Sequence, residues 1–571
     1  MNELKNRIAK ARGCEKTELV LKNATVFHAF TGEFKTGDVA IENGIILGIG
    51  AYTGKREIDL TGKYLLPGFI DSHIHIESSM LSPLEFARAV VPLGTTTVIA
   101  DPHEIANVAG LRGVEYLLQA TEKLPLNTYF MLPSCVPATH LEHAGAQLLA
   151  EDLATLIDHP RVLGLGEMMN YPGVLFGDET VMEKLRLAAN KKIDGHAPEV
   201  HGNDLMAYAA GGIGSDHECF DPEQALEKLR AGMHVMIREG SAAKNLQALL
   251  PMIHACTAPF CSLAADDRHP ADLLEEGHIN HMVRMAVRAG AELPLILQMA
   301  TIHAARHFGL HDLGAIAPLY RADLLVFDDL DSWVPSIVFK DGKIVARDNK
   351  ACFGDIAEEL PTDILNTMHV KDFSRKDLVI NAKGDKVHVI GLVPQQIITK
   401  HLILDAKPAE AQIRADCAKD LLKLVVFERH QKSGNIGLGL VQGYGLKKGA
   451  VASTIAHDSH NLIVIGTNDA DIELAAKTLM KEKGGICLVA DGKVEGVLPL
   501  PIAGLMSTES VSQVEAVLGE MKKKAYAFGV HPEYDPFLTL AFLSLPVIPE
   551  LKLTDCGLVD VQKFSLIPLT E

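Results

Sequence analysis

Between positions 19 and 60, short runs of alternating apolar and polar residues such as ELVLKNATVF and DVAIENGIILGIG are broken by Gly, Asn and Asp, which predicts small antiparallel strands. The same texture returns at 321–330 (RADLLVFDDL) and 335–346 (PSIVFKDGKIVA), the latter carrying a KDGK hairpin signal. Matching flanks around a different interior predict one small β-sandwich domain assembled from residues 1–66 and 311–354, with another domain inserted at 67–310.

The interior alternates β-prone runs with stretches of helical period. Eight candidate strands stand in order: YLLPGFIDSH, TTTVIAD, NTYFMLP, RVLGLGE, KKIDGH, GGIGSDH, MHVMIRE and PFCSLAAD. The spacers SPLEFARAVVPLG, GLRGVEYLLQATEK, DETVMEKLRLAANK, NDLMAYAAG, DPEQALEKLRAG and AAKNLQALLPMIHAC read as helices. Eight such units predict an α/β fold, a TIM-like (β/α)8 barrel. Polar residues fall at the strands' carboxyl ends, where barrels of this kind build sites: His73, His75, Asp101, Glu167, His196, His217, Glu239 and Asp266. Beyond 354 this punctuation stops. The runs DLVINA, KVHVIGLV, LVVFER and NLIVIGTN and the helical DADIELAAKTLMKEKG predict an α+β domain over 355–571, and AEELPTDILNT is the best linker candidate.

Composition narrows the function classes. Hydrophobic residues at 47% and charged residues at 22% match an ordinary globular chain. A formal charge of −19 repels phosphate backbones and anionic lipid, so nucleic-acid and membrane partners are not expected. Nine scattered cysteines without a CxxC pair suit a reducing compartment. The first fourteen residues lack an apolar core of signal type, and the most apolar stretch, 538–548, is short and holds Pro546, so a cytoplasmic location is expected.

His73 and His75 stand two apart on a strand, so both imidazoles project to one face and can grip one ion; an isolated HxH pair is more often surface or packing. A carboxylate at Glu167 can bridge two cations through its two oxygens, the alternative being an exposed loop residue. His196 and His217, at consecutive strand ends, read as ligands or as satisfied core histidines. Asp266 points at the same mouth and suits both metal contact and proton transfer, with Asp267 beside it; the pair alternatively caps the next helix. Asp101, His103 and Glu104 suit substrate binding or acid-base work, or the opening of a helix.

With these residues in hand, the chain resembles the amidohydrolase superfamily, and its adenine deaminase branch in particular, over nearly its whole length. LPGFIDSHIHIESS, ADPHEIANV, GLGEMMNYPGV, DGHAPEV, GSDHE and DDRHP follow in that family's order, as do GLVQGYGLKKGAVASTIAHDSHNLIVIG (439–466) and LPIAGLMS (500–507). The resemblance implies a purine-salvage hydrolase that converts adenine to hypoxanthine and ammonia with two divalent cations, manganese favoured and iron or zinc as alternatives. It implies His73, His75, His196, His217 and Asp266 as ligands, with Glu167 bridging where many superfamily members use a carboxylated Lys; Lys191 and Lys192 precede the next strand and fit that role poorly.

On this reading an activated water attacks C6 and Asp266 takes its proton, His103, Glu104 or Asp266 supply protons to the ring and leaving amine, and Asp101 and Asp267 touch substrate. The expected partner is adenine, with a homo-oligomeric assembly. His457 and His460 in AHDSHN are read as a polar turn in preference to another metal site, because no third ligand is evident. A related binuclear hydrolase acting on a cyclic amide or N-acetyl sugar would keep nearly the same ligands, whereas a metal-free assembly protein would have lost them.

Overall fold

A computed structural model describes residues 2–354, 356, 359–381, 384–394, 396–405 and 412–571. All eight interior strands are present: β1 (Phe69–Ile74), β2 (Thr95–Ala100), β3 (Asn127–Leu132), β4 (Val162–Met168), β5 (Lys192–Gly195), β6 (Ser215–Asp216), β7 (His234–Arg238) and β8 (Cys261–Ala264). β1 to β5 form one parallel sheet and β6 to β8 another. The two meet where the Gly214 N–H donates to the Ile193 carbonyl at 2.9 Å, and where the Asp266 N–H donates to the His73 carbonyl at 2.9 Å. Asp71, fully buried, braces the second junction by accepting the N–H groups of His73 and Ala265 at 3.2 and 3.0 Å.

The first predicted strand is in fact two. Tyr64–Pro67 pairs antiparallel with Leu324–Phe327, and Phe69–Ile74 begins the barrel. Gly68 separates them, and a Cβ there would meet Thr96 Oγ1 at 2.0 Å.

The helices follow the periodic spacers at Pro83–Val90, His103–Thr121, Glu179–Leu187, Gly202–Ala210 and Pro222–Arg230. Pro222 opens its helix while Asp221 accepts the N–H groups of Glu223 and Gln224, as helix starts require. The spacer at 242–256 gives only Leu246–Leu249 and a 3-10 turn, Leu250–Met252, because Pro251 interrupts the backbone ladder.

Strands from both flanks form one nine-stranded sheet, running from Lys350–Ala351 through Leu324–Phe327 and Tyr64–Pro67 to Thr17–His28 and Ile45–Gly50. The KDGK signal is a hairpin pairing Lys340 with Lys343, and Asp341 and Gly342 take the positive φ values, 49° and 72°, that its tight turn demands.

The last part holds an eight-stranded, mainly antiparallel sheet, the helices Asp469–Glu482 and Val511–Ala527, and a three-stranded sheet over Leu551–Ile567. Asp355, the expected start of this part, lies outside the described residues, as do Ala357 and Glu358 of the expected linker and Ala382 of DLVINA. The rest of the linker is anchored: Ile364 is fully buried and its carbonyl accepts the Ala503 N–H at 2.9 Å.

This last part also packs over the barrel mouth. The Ser82 N–H donates to Ser507 O and the Ser507 N–H to Met80 O, both at 2.8 Å, and the Thr554 hydroxyl donates to Leu141 O at 2.7 Å. Among the described residues no helix is long and apolar enough to cross a membrane.

Candidate metal centre and active site

At the end of β1, strand alternation sends His73 and His75 to the same side, and their Nε2 atoms face each other at 3.2 Å. The His75 Nδ1–H donates to the Asp101 carbonyl at 2.9 Å, which fixes the tautomer and leaves the Nε2 lone pair pointing inward. Glu167, at the end of β4, divides its carboxylate between two groups. Its Oε1 lies 3.3 Å from His75 Nε2 and 3.7 Å from His73 Nε2, while its Oε2 lies 2.6 Å from His196 Nδ1 and 3.4 Å from His217 Nε2. Asp266 Oδ1 completes the first group at 3.2 Å from His75 and 3.7 Å from His73. The Asp266 backbone is left-handed, φ 56°, a conformation Asp tolerates better than most residues, and it turns the carboxylate into the mouth.

Four imidazoles and two carboxylates converging here make a donor set that suits a pair of divalent first-row cations. The His73 and His75 Nε2 atoms face each other and the Glu167 and Asp266 oxygens across a common centre, the convergence of donors that a cation would occupy. Burial pushes Glu167 up, but hydrogen bonds from His196 and His217 outweigh it and hold the carboxyl well below the usual range. For Asp266 burial is likewise outweighed, first by Arg238 and then by His75.

Two further charges surround this core. Arg238 donates from Nη1 to Asp266 Oδ2 at 2.9 Å and from Nη2 to Glu218 Oε2 at 3.0 Å, while Glu218 Oε1 lies 3.3 Å from His217 Nε2. Beyond β2, His103 has its Nδ1 3.3 Å from Glu167 Oε1 and 3.4 Å from Asp101 Oδ1, and its Nε2 3.6 Å from Glu104 Oε1. Glu104, 2% exposed, meets the last part of the chain: Oε1 is 2.7 Å from His457 Nδ1, and Oε2 contacts His460 Nε2. Burial would lower His457, but Glu104 raises it to about 9, whereas burial takes His460 down to about 4 despite the same neighbour. Glu104 is therefore held ionised between one protonated and one neutral imidazole. Burial also raises Glu77 to about 7 and Asp458 to about 6.

Known proteins share this arrangement's sequence. The profile described as "Amidohydrolase family" matches residues 64–345, and "Adenine deaminase C-terminal domain" matches 396–565. Adenine deaminase 2 of Carboxydothermus hydrogenoformans is 55% identical over 100% of both chains, and an adenine deaminase of Dehalococcoides mccartyi is 48% identical over 99% of both. The chain belongs to the adenine deaminase family. Among solved structures, a β-aspartyl dipeptidase from Fervidobacterium islandicum AW-1 aligns at 19% identity with a TM-score of 0.46, covering 59% of this chain and 99% of that one.

In this adenine deaminase family member several sequence expectations need revising. The AHDSHN segment is no simple polar turn: His457 and His460 are buried, and the third partner missing from the local sequence is Glu104, 353 and 356 positions away. Glu239 does not face the mouth. Its Oε2 accepts the Leu246 N–H at 3.0 Å, and the preceding residue, Arg238, reaches the site instead.

Neither Asp266 nor Asp267 caps the following helix, whose N-cap is His269; Asp267 is half-buried and accepts the Ser78 hydroxyl at 2.5 Å. Asp101 is only 1% exposed, and its Oδ2 accepts the Glu167 N–H at 2.9 Å. Sequence reasoning passed over Glu218 because alternation assigns His217 and its neighbour to opposite faces, yet β6 ends at Asp216 and the rule no longer applies there.

Proposed function

We propose that this protein hydrolyses adenine at C6, consuming one water and releasing hypoxanthine and ammonia, with two divalent cations, manganese favoured over iron or zinc, held by His73, His75, Glu167, His196, His217 and Asp266. The observation that carries the reading is the Glu167 carboxylate, whose two oxygens face two separate pairs of imidazoles. When bound, the cations supply an acidified water and stabilise negative charge developing in the tetrahedral adduct.

The residues then divide the remaining work. Asp266, kept ionised by Arg238, accepts the proton of the attacking water. His103 stands between Glu167 and Glu104 and delivers a proton toward the purine ring and the departing amine, with the ionised Glu104 favouring its protonated form. His457 and His460 fix Glu104 in place, so the last domain completes the acid side of the site. Asp101 acts through Glu167 and His103 rather than on substrate, while Asp267 keeps one oxygen for the purine. In domain terms, we infer a small β-sandwich from 1–66 and 311–354, a barrel over 67–310 and an α+β domain over 355–571.

The deciding experiment incubates manganese-loaded protein with adenine, adenosine, guanine and dihydroorotate while following ultraviolet change and released ammonia. Turnover of adenine with stoichiometric ammonia is expected; turnover confined to adenosine or dihydroorotate overturns the substrate assignment.

A further inference from the structure

On the face opposite the catalytic rim a cavity of about 450 Å³ opens at the amino-terminal ends of β5 to β8. Its wall carries Lys191, Lys192, His234, His303, Arg306 and His307, and among the described residues no Asp or Glu lines it, in a chain whose formal charge is −19. Asp194 lies behind the wall, its Oδ1 3.9 Å from His307 Nε2, and that oxygen already accepts the Ser215 hydroxyl at 2.6 Å.

The imidazoles are short of partners. His303 is 5% exposed, yet its Nδ1 has no hydrogen-bond partner among the described residues, nor has His307 Nε2. His307 stacks on His234 with ring centroids 4.1 Å apart, and His234 Nε2 rests 2.9 Å from the Ser262 hydroxyl. The long cations are only lightly engaged: Lys191 reaches the Val162 carbonyl at 3.3 Å, and the Arg306 guanidinium lies 5.3 Å from the Phe30 ring centroid. A buried polar atom without a partner is costly, and a pocket of like-charged side chains without a counter-charge repels itself.

We propose that this cavity is a binding site for a small phosphate-bearing metabolite, with Lys192 and Arg306 holding the phosphoryl oxygens at the opening and His303 and His307 donating from within. Two features favour phosphate over a simple carboxylate. A guanidinium, ammonium groups and imidazoles together match a multivalent tetrahedral oxyanion. The cavity also exceeds a bare inorganic ion and falls in the range of small-metabolite pockets. Burial holds His234 well below its ordinary value and takes His303 to about 4, so these two rings are neutral in the unliganded pocket.

The test is calorimetric titration of the metal-loaded full chain with inorganic phosphate and pyrophosphate at constant ionic strength, alongside succinate, repeated on Lys192→Gln and Arg306→Gln. Both side chains are at least partly exposed, so the variants should fold. Binding of pyrophosphate tighter than phosphate and succinate, weakened about tenfold or more by each substitution, is expected. Absence of binding, or binding that persists unchanged in both variants because the anion sits on the catalytic metals, overturns the proposal. Adenine turnover of the two variants should stay at the parental rate, since neither residue approaches the catalytic rim.

Discussion

Gly166 shows how closely a single atom controls the site. A Cβ at this position would lie 2.1 Å from Asp101 Oδ2, the atom that accepts the Glu167 N–H. Gly166→Ala therefore has to displace Asp101 and, with it, the carboxylate shared between the two imidazole groups. A shift of about 1 Å in a positioned group can cost about 100-fold in turnover. We expect a loss of that order in kcat with the melting temperature changed little by comparison; unchanged kcat would remove Asp101 from the positioning of Glu167.

At the scale of elements, every strand that carries a site residue was legible, because each is a compact apolar run ending in a polar residue. What escaped were register and reach. Arg238 and Glu239 exchange roles because the chain leaves β7 at Arg238 and the next side chain turns back to the Leu246 amide. Glu218 escaped because β6 is only two residues long. The close approach of β4 and β5 depends on Gly164, where a Cβ would meet the Lys192 carbonyl oxygen at 1.8 Å. Since that neighbour is backbone, it cannot rotate away. Gly164→Val is expected to destabilise the protein by about 3 kcal/mol, readable as a lower denaturant midpoint; an unaltered midpoint would mean that the pairing adapts.

For the whole molecule, the part hidden from sequence reading was the meeting of Glu104 with His457 and His460. No local pattern links residues more than 350 positions apart, and only the packing of the last domain on the barrel mouth joins them. Replacing both histidines with Asn should leave the metal content per chain at the parental level by elemental analysis while turnover falls by about 100-fold, the scale of a lost acid-base contribution. Full activity in that variant would reduce the contact to packing.

A pH dependence follows with a definite sign. His457 is raised from 6.5 to about 9, so its contribution to stability is complete below about pH 6.5 and is lost as pH rises through about 9. The shift corresponds to roughly 3 kcal/mol. Parental protein should lose melting temperature across this window, whereas His457→Asn should show a flatter profile.

The Asp266 amide that donates to the His73 carbonyl does two jobs at once, for it is the seam where the first and last staves of the barrel are joined, and it sets the carboxylate opposite the paired imidazoles. Hooping the staves and assembling the cage are thus a single event. A chelator that empties the cage also loosens the hoop, so stripped protein should melt well below the loaded form, and manganese returned in excess should restore the difference in proportion to the logarithm of its concentration.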